Sequence, residues 1–254
     1  MPPRVAAFAG ALFAASAATT IVWCRSMSAM DMPMPGGWTM SMAWMRASDQ
    51  TWAGAAGAFV AMWIVMMVAM MLPSLLPMLR RLADAAAVDG VPVGRHVAQA
   101  GAAYFLVWAA AGVAVFPIGA AASALAMARP AVADAVPLAI GAALLAAGAL
   151  QFTRFKARAL ACCARPAGGE PVATDGWSAW QHGLRLGVRC LRCCANLMAI
   201  LLVAGMMDPA AMAAVTIAIT AERVAPGGAR VARLVGAGVL FAAALQIVQA
   251  IVIA

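Results

Sequence analysis

The stretch Met62-Trp63-Ile64-Val65-Met66-Met67-Val68-Ala69-Met70-Met71-Leu72-Pro73-Ser74-Leu75-Leu76-Pro77-Met78 decides the fold. It is almost wholly apolar and reads as a helix. Each residue of an α-helix advances about 100° around the axis. With Met62 at zero, Met66, Met70, Met67, Met78 and Met71 fall at roughly 40°, 80°, 140°, 160° and 180°. One half of the cylinder is therefore thioether sulfur. Ile64, Val65, Val68, Leu72, Leu75, Leu76 and Leu79 occupy the other half, between about 200° and 320°. The sulfur face runs roughly 24 Å, most of a bilayer core. It is a candidate path or site for a soft metal ion. Ordinary helix packing could use the same residues, because methionine is also a flexible core filler.

The composition places this helix in a membrane. Of 254 residues, 66% are hydrophobic and only 10% are charged. The mean hydropathy is +0.93. A soluble domain of this size needs more polar surface. Continuous apolar tracts such as Val97–Phe116 and Val136–Leu150 exclude the short alternating strands of an outer-membrane barrel. The expected fold is all-α: a polytopic transmembrane bundle of about seven spans, forming a single integral membrane domain over residues 1–254. The net charge of +8 points to membrane topology rather than to nucleic acid, because the cations lie between apolar tracts.

Read in order, the spans are Val5–Trp23, Trp52–Leu79, Val97–Ala120, Val136–Phe155, a fifth from near Trp177 to Met207, a short Ala210–Arg223, and Val231–Ala254. The first tract is long for a signal peptide and reads as a retained helix. Pro73 and Pro77 are expected to kink the end of the second. An N-terminus inside places fourteen of the seventeen cations on the cytoplasmic side, leaving only Arg25, Arg46 and Arg129 outside. That asymmetry is a strong orientation signal. It makes residues 26–50 an extracytoplasmic loop and 156–180 a cytoplasmic one. The outer loop holds Met27, Met30, Met32, Met34, Met40, Met42 and Met45, with Trp38 and Trp44 as candidate interfacial anchors. No internal repeat supports a repeat-built transporter.

Five of the six cysteines fall in the second half: Cys162, Cys163, Cys190, Cys193 and Cys194. On a helix, Cys190, Cys193 and Cys194 are i, i+3 and i+4 neighbours and share a face. Met198 lies close to that face. Arg185, Arg189 and Arg192 lie on the adjoining one, and cations beside thiols favour the thiolate that binds metal. Soft thiolate and thioether ligands select Cu(I). Zinc remains an alternative through four cysteine sulfurs. Small cysteines that merely pack helices are the structural alternative. His96 and His182 read as interfacial residues, Asp208 as a turn residue, and Glu222 as a partner for Arg192 or Arg223. No nucleotide-binding loop, Ser/His/Asp arrangement or paired carboxylate is evident, so neither an ATP-driven pump nor a hydrolase is expected.

Several stretches together resemble a known family. They are Trp63…Met66-Met67-Val68-Ala69-Met70-Met71-Leu72-Pro73-Ser74, Tyr104…Trp108, Gln151-Phe152-Thr153…Lys156…Cys163, Cys190-Leu191-Arg192-Cys193-Cys194…Met198, Gly205-Met206-Met207-Asp208 and Glu222…Pro226-Gly227. The family is the bacterial predicted metal-binding integral membrane proteins, and the resemblance covers roughly residues 52–240. This chain departs from the pattern at Ala159, where the family has a loop cysteine, at Asn196 and at Asp208. The resemblance implies metal binding without naming a reaction.

The resulting expectation is a multi-pass protein of the bacterial inner membrane that is not an enzyme. It would bind Cu(I) at Cys190, Cys193, Cys194 and Cys163, with Met66, Met67, Met70, Met71 and Met198, and serve copper transport or homeostasis without ATP hydrolysis. A periplasmic copper-carrying protein is the expected partner besides the lipid bilayer, and no nucleic acid is. The alternatives are a metal-delivery scaffold for a membrane enzyme and a thiol redox protein.

Overall fold

The computed structural model describes residues 3–34, 38–47, 49–88, 90–164 and 176–253. These residues form an all-α bundle. Its helices are α1 (Pro3–Ser28), α2 (Trp52–Val88), α3 (Val93–Ala128), α4 (Pro130–Leu150), α5 (Arg154–Ala164), α6 (Gly176–Ala204), α7 (Pro209–Val224) and α8 (Gly228–Ile253). Six of them, all but α5 and α7, are long and apolar enough to cross a membrane. Helix α7 has 16 residues and rises about 24 Å, short of a typical hydrocarbon core. The expected linker Ala167–Asp175 lies outside the described residues.

Helix α2 is the most enclosed of the candidate spans. Met66, Met67, Met70 and Met71 are buried, but so are Val68, Leu72 and Leu75 on the opposite half. The division into sulfur and aliphatic halves therefore does not separate inside from outside. Both faces are covered because α1, α3 and α7 all pack on α2. The helix also continues past its expected end at Leu79 to Val88. Leu82, Ala83 and Ala86 carry a buried stripe beyond the exposed Arg80 and Arg81. Those two arginines decorate one side of the helix rather than ending it.

Two further boundaries differ from the sequence expectation. Helix α4 starts at Pro130, whose fixed φ suits a first helical turn, and stops at Leu150 rather than Phe155. A turn at Gln151–Thr153 follows, and the Thr153 hydroxyl accepts from the Lys156 amide at 3.3 Å, capping α5. A separate helix thus fills the first part of the expected 156–180 loop. At the other end of α6, Gly205 takes φ +127, a conformation that glycine tolerates at little cost. Asp208 then caps α7, accepting from the Ala210 amide at 2.8 Å, with Pro209 in the first turn.

The methionine-bearing segment is tied to the bundle. Residues Met32–Pro33 (β1) pair antiparallel with Thr39–Met40 (β2). Trp38 Nε1 donates to the Ala133 carbonyl at 3.0 Å. The ring of Trp44 packs 5.0 Å from that of Phe59. Both tryptophans therefore anchor the segment to helices. Met40 is buried, whereas Met30 and Met32 are exposed.

Helices α3 and α6 share one of the most extensive contacts in the bundle. Gly183 makes it close: a Cβ there would collide with the Ala100 backbone carbonyl. Gly183→Ala is therefore expected to lower stability in detergent by about 1–3 kcal/mol. The control Gly10→Ala, whose methyl meets nothing within 4 Å, should not lower it, because alanine is favoured over glycine inside a helix by about 0.5–1 kcal/mol. Thermal unfolding of the two variants checks this.

Candidate metal centre

Helix α6 places Cys190, Cys193 and Cys194 near its midpoint, with Arg185 and Arg189 before them and Arg192 between Cys190 and Cys193. Their three sulfurs lie within 4.8 Å of one another, and all three residues are buried. Cys190 and Cys194 are 3.7 Å apart and Cys193 and Cys194 are 3.4 Å apart, sulfur to sulfur. Ligands at tetrahedral angles on bonds of about 2.3 Å stand roughly 3.8 Å apart. The cluster therefore has the spacing of a set that shares one ion.

Two more sulfurs join from other helices. Cys163 Sγ on α5 lies 3.0 Å from Cys193 Sγ and donates to the Arg189 carbonyl at 3.1 Å. The neighbouring Cys193 thiol draws the Cys163 pKa below the ordinary value; burial opposes this and Arg223 assists it. Met71 Sδ on α2 is 4.0 Å from Cys190 Sγ. Cys162, adjacent in sequence, is exposed and stands apart. Met67, Met70 and Met198 are buried in the same core. Met66 instead lines a cavity beside Cys24.

The cation at the sulfurs is not one of those flanking the cluster in sequence. Arg185 and Arg192 are exposed. Arg223, from the end of α7, donates through Nη1 to Cys190 Sγ at 3.1 Å and to Ser74 Oγ at 2.7 Å. Its Nη2 donates to Met78 Sδ at 3.4 Å. Tyr104 OH on α3 donates to the same Cys190 Sγ at 2.9 Å. Two donors, one of them cationic, are thus aimed at one sulfur, and charge-assisted hydrogen bonds of this kind favour a sulfur that has given up its proton to a metal.

Beneath the cluster lies a buried ion pair. Lys156 Nζ is 2.7 Å from Glu222 Oε2. The ammonium also donates to the Cys193 carbonyl at 2.7 Å and to Asn196 Oδ1 at 3.2 Å. Gln151 Nε2 donates to Glu222 Oε1 at 2.9 Å. Glu222 is thus paired with Lys156, not with Arg192 or Arg223. Both arginines are closer to Glu222 in sequence, but α5 brings the lysine to the carboxylate. His96, expected at an interface, is buried.

Sequence reasoning missed Arg223, Tyr104 and Lys156 as site residues. One signal was present. The chain has a single tyrosine and a single lysine among seventeen cations, and both stand at this site. A lone ammonium in an arginine-rich chain fits a compact niche that a planar guanidinium would not.

The arrangement defines a class: a helical membrane-type protein with a buried three-cysteine centre and a cation beside it. A family model described as copper chaperone PpoB2 matches residues 60–246, and the chain belongs to that family. No curated protein and no solved structure matches the chain. The metal-binding character implied by the sequence resemblance agrees with this copper-related family.

Removing one partner of a buried ion pair strands the other. Lys156→Met should cost about 3–5 kcal/mol, while the double variant with Glu222→Leu should recover most of that loss. Detergent unfolding of the two variants side by side measures the difference.

Proposed function

We propose that this chain is a multi-pass copper chaperone of the bacterial inner membrane that holds Cu(I) on Cys190, Cys193 and Cys194. The observation that carries the reading is the closed set of three buried sulfurs, with Cys163 and Met71 against it. Cu(I) on three thiolates carries two net negative charges. Arg223 offsets one of them within hydrogen-bond distance, and Tyr104 adds a neutral donor. Lys156 and Glu222 neutralise each other and leave that balance unchanged. Zinc would recruit Cys163 as a fourth thiolate and add no need for the thioether of Met71.

In this reading the protein catalyses no reaction and hydrolyses no ATP. Copper arrives and leaves by exchange among sulfur ligands, each thiol losing a proton as it binds. A periplasmic copper-carrying protein or a membrane enzyme receives it. Helix α7 serves as a short seventh crossing over a locally thinned bilayer, with the N-terminus and α5 on the cytoplasmic side and the methionine-bearing segment outside. The cation distribution supports this orientation.

Transport across the membrane is a second reading. Met66, Met67, Met70 and Met71 make a buried sulfur line along α2 that ends at Cys190. Radiocopper flux in sealed vesicles separates the two. A chaperone binds copper without flux, whereas a transporter loses flux on Met70→Leu while keeping the bound metal.

Purified protein is expected to retain Cu(I) under reducing conditions, and the Cys190→Ser/Cys193→Ser/Cys194→Ser variant to lose the ion held at this centre. Arg223→Gln should weaken Cu(I) binding about 10–100-fold, as loss of an outer hydrogen bond to a ligand does. Competition against a chromogenic Cu(I) chelator reads both effects.

A further inference from the structure

Helix α1 is apolar, yet the residues it buries against the bundle are Ser16, Thr20 and Cys24. They recur every four positions and form one stripe. Alanine or leucine would serve simple packing. Cys24 Sγ instead lies 3.6 Å from Met212 Sδ on α7. Thr20, Cys24, Met62, Met66 and Met207 line one small cavity of about 10 Å³, room for a single small sphere. Thr20 Oγ1 is buried there without a hydrogen-bond partner, although Thr20 is only 8% exposed. Such an orphaned polar atom costs free energy, so this stripe is not what simple packing of an apolar helix would select.

We propose that Cys24, Met66, Met207 and Met212 form a second Cu(I) site, separate from the Cys190 centre. This rests on the copper reading given above. Three further arguments support it. The 3.6 Å sulfur separation fits two ligands on one ion with bonds of about 2.3 Å. One thiolate with two or three thioethers makes a neutral complex with a singly charged ion, so the apolar surroundings need no counter-ion. A divalent ion would leave a buried positive charge, so the site selects Cu(I) or its analogue Ag(I).

The placement is also suited to first capture. Helix α1 ends at Ser28, four residues beyond Cys24, and Ser28 Oγ donates to the Met207 carbonyl at 3.5 Å. The methionine-bearing segment therefore leaves the bundle directly beside this site. Met66 lies five residues before Met71 on α2, a rise of about 7.5 Å. One helix thus connects the two sulfur centres. Cys24 stands outside residues 60–246, the part matching the copper chaperone family, whereas Met66, Met207 and Met212 lie within it.

The test is a Cu(I) titration of the full chain in detergent, with bicinchoninate as competitor and a reductant present. Cys24→Ser/Met212→Leu is expected to lose one Cu(I) per chain relative to the parent. The Cys190/Cys193/Cys194 triple serine variant should keep one, and should lose it when Cys24→Ser is added. X-ray absorption of that triple variant should report an all-sulfur shell. Met66→Leu and Met207→Leu, which conserve volume, should weaken the remaining site without unfolding the protein. Unchanged stoichiometry in Cys24→Ser/Met212→Leu overturns the second site and leaves the Cys190 centre standing. Unchanged stoichiometry in the triple variant overturns the Cys190 centre instead, while copper then lost with Cys24→Ser still supports the second site.

Discussion

A buried ammonium holds the centre of this protein together. Lys156 reaches from α5 to the Glu222 carboxylate on α7 at 2.7 Å, and to the Cys193 carbonyl and Asn196 on α6. An unpaired charge in such surroundings would be prohibitive. The two charges must therefore meet, which brings α5, α6 and α7 to one point. That requirement places Cys163 on α5 against Cys193. It also places Arg223, the residue after Glu222, over Cys190. The ion pair contributes geometry more than net stability, since a buried pair gains in attraction roughly what it loses in solvation.

The two cations near the sulfurs have different chemistry. Lys156 is consumed by its carboxylate and fixes the backbone. Arg223 faces Ser74, Met78 and Cys190 instead, so its positive charge is directed to the thiols. This division leaves the cysteine cluster a cation that no carboxylate claims. Helix α2 completes the arrangement from the other side. It supplies Ser74, Met78 and Met71 from consecutive turns, and its burial on both faces keeps water away from the cluster.

Much of the fold was legible in the hydropathy pattern, because apolar tracts of this length leave a chain few choices but helices. Helix ends were less legible. Arg80 and Arg81 read as a terminus, yet the buried stripe of Leu82, Ala83 and Ala86 carries α2 onward. The span Val136–Phe155 concealed the turn at Gln151–Thr153, since no glycine or proline marks it. The cysteine face of α6 was legible because the i, i+3, i+4 spacing acts within one helix. The place of Met66 was not. Periodicity assigned it to the same sulfur face as Met71, whereas the neighbouring helices send one toward Cys24 and the other toward Cys190.

The amino-acid sequence by itself determined that this is an all-helical, membrane-type chain with a thiol face on α6 and a thioether-rich α2. Those properties follow from composition and from spacing within single helices. Only the tertiary structure decided which charges and which sulfurs meet. Arg223 is 33 residues from Cys190, Tyr104 is 86 away, and Cys24 is 188 from Met212. Helical periodicity relates residues three or four apart. It is silent about contacts between helices, which are set by close approaches such as Gly183 on Ala100 and by the need to pair each buried charge.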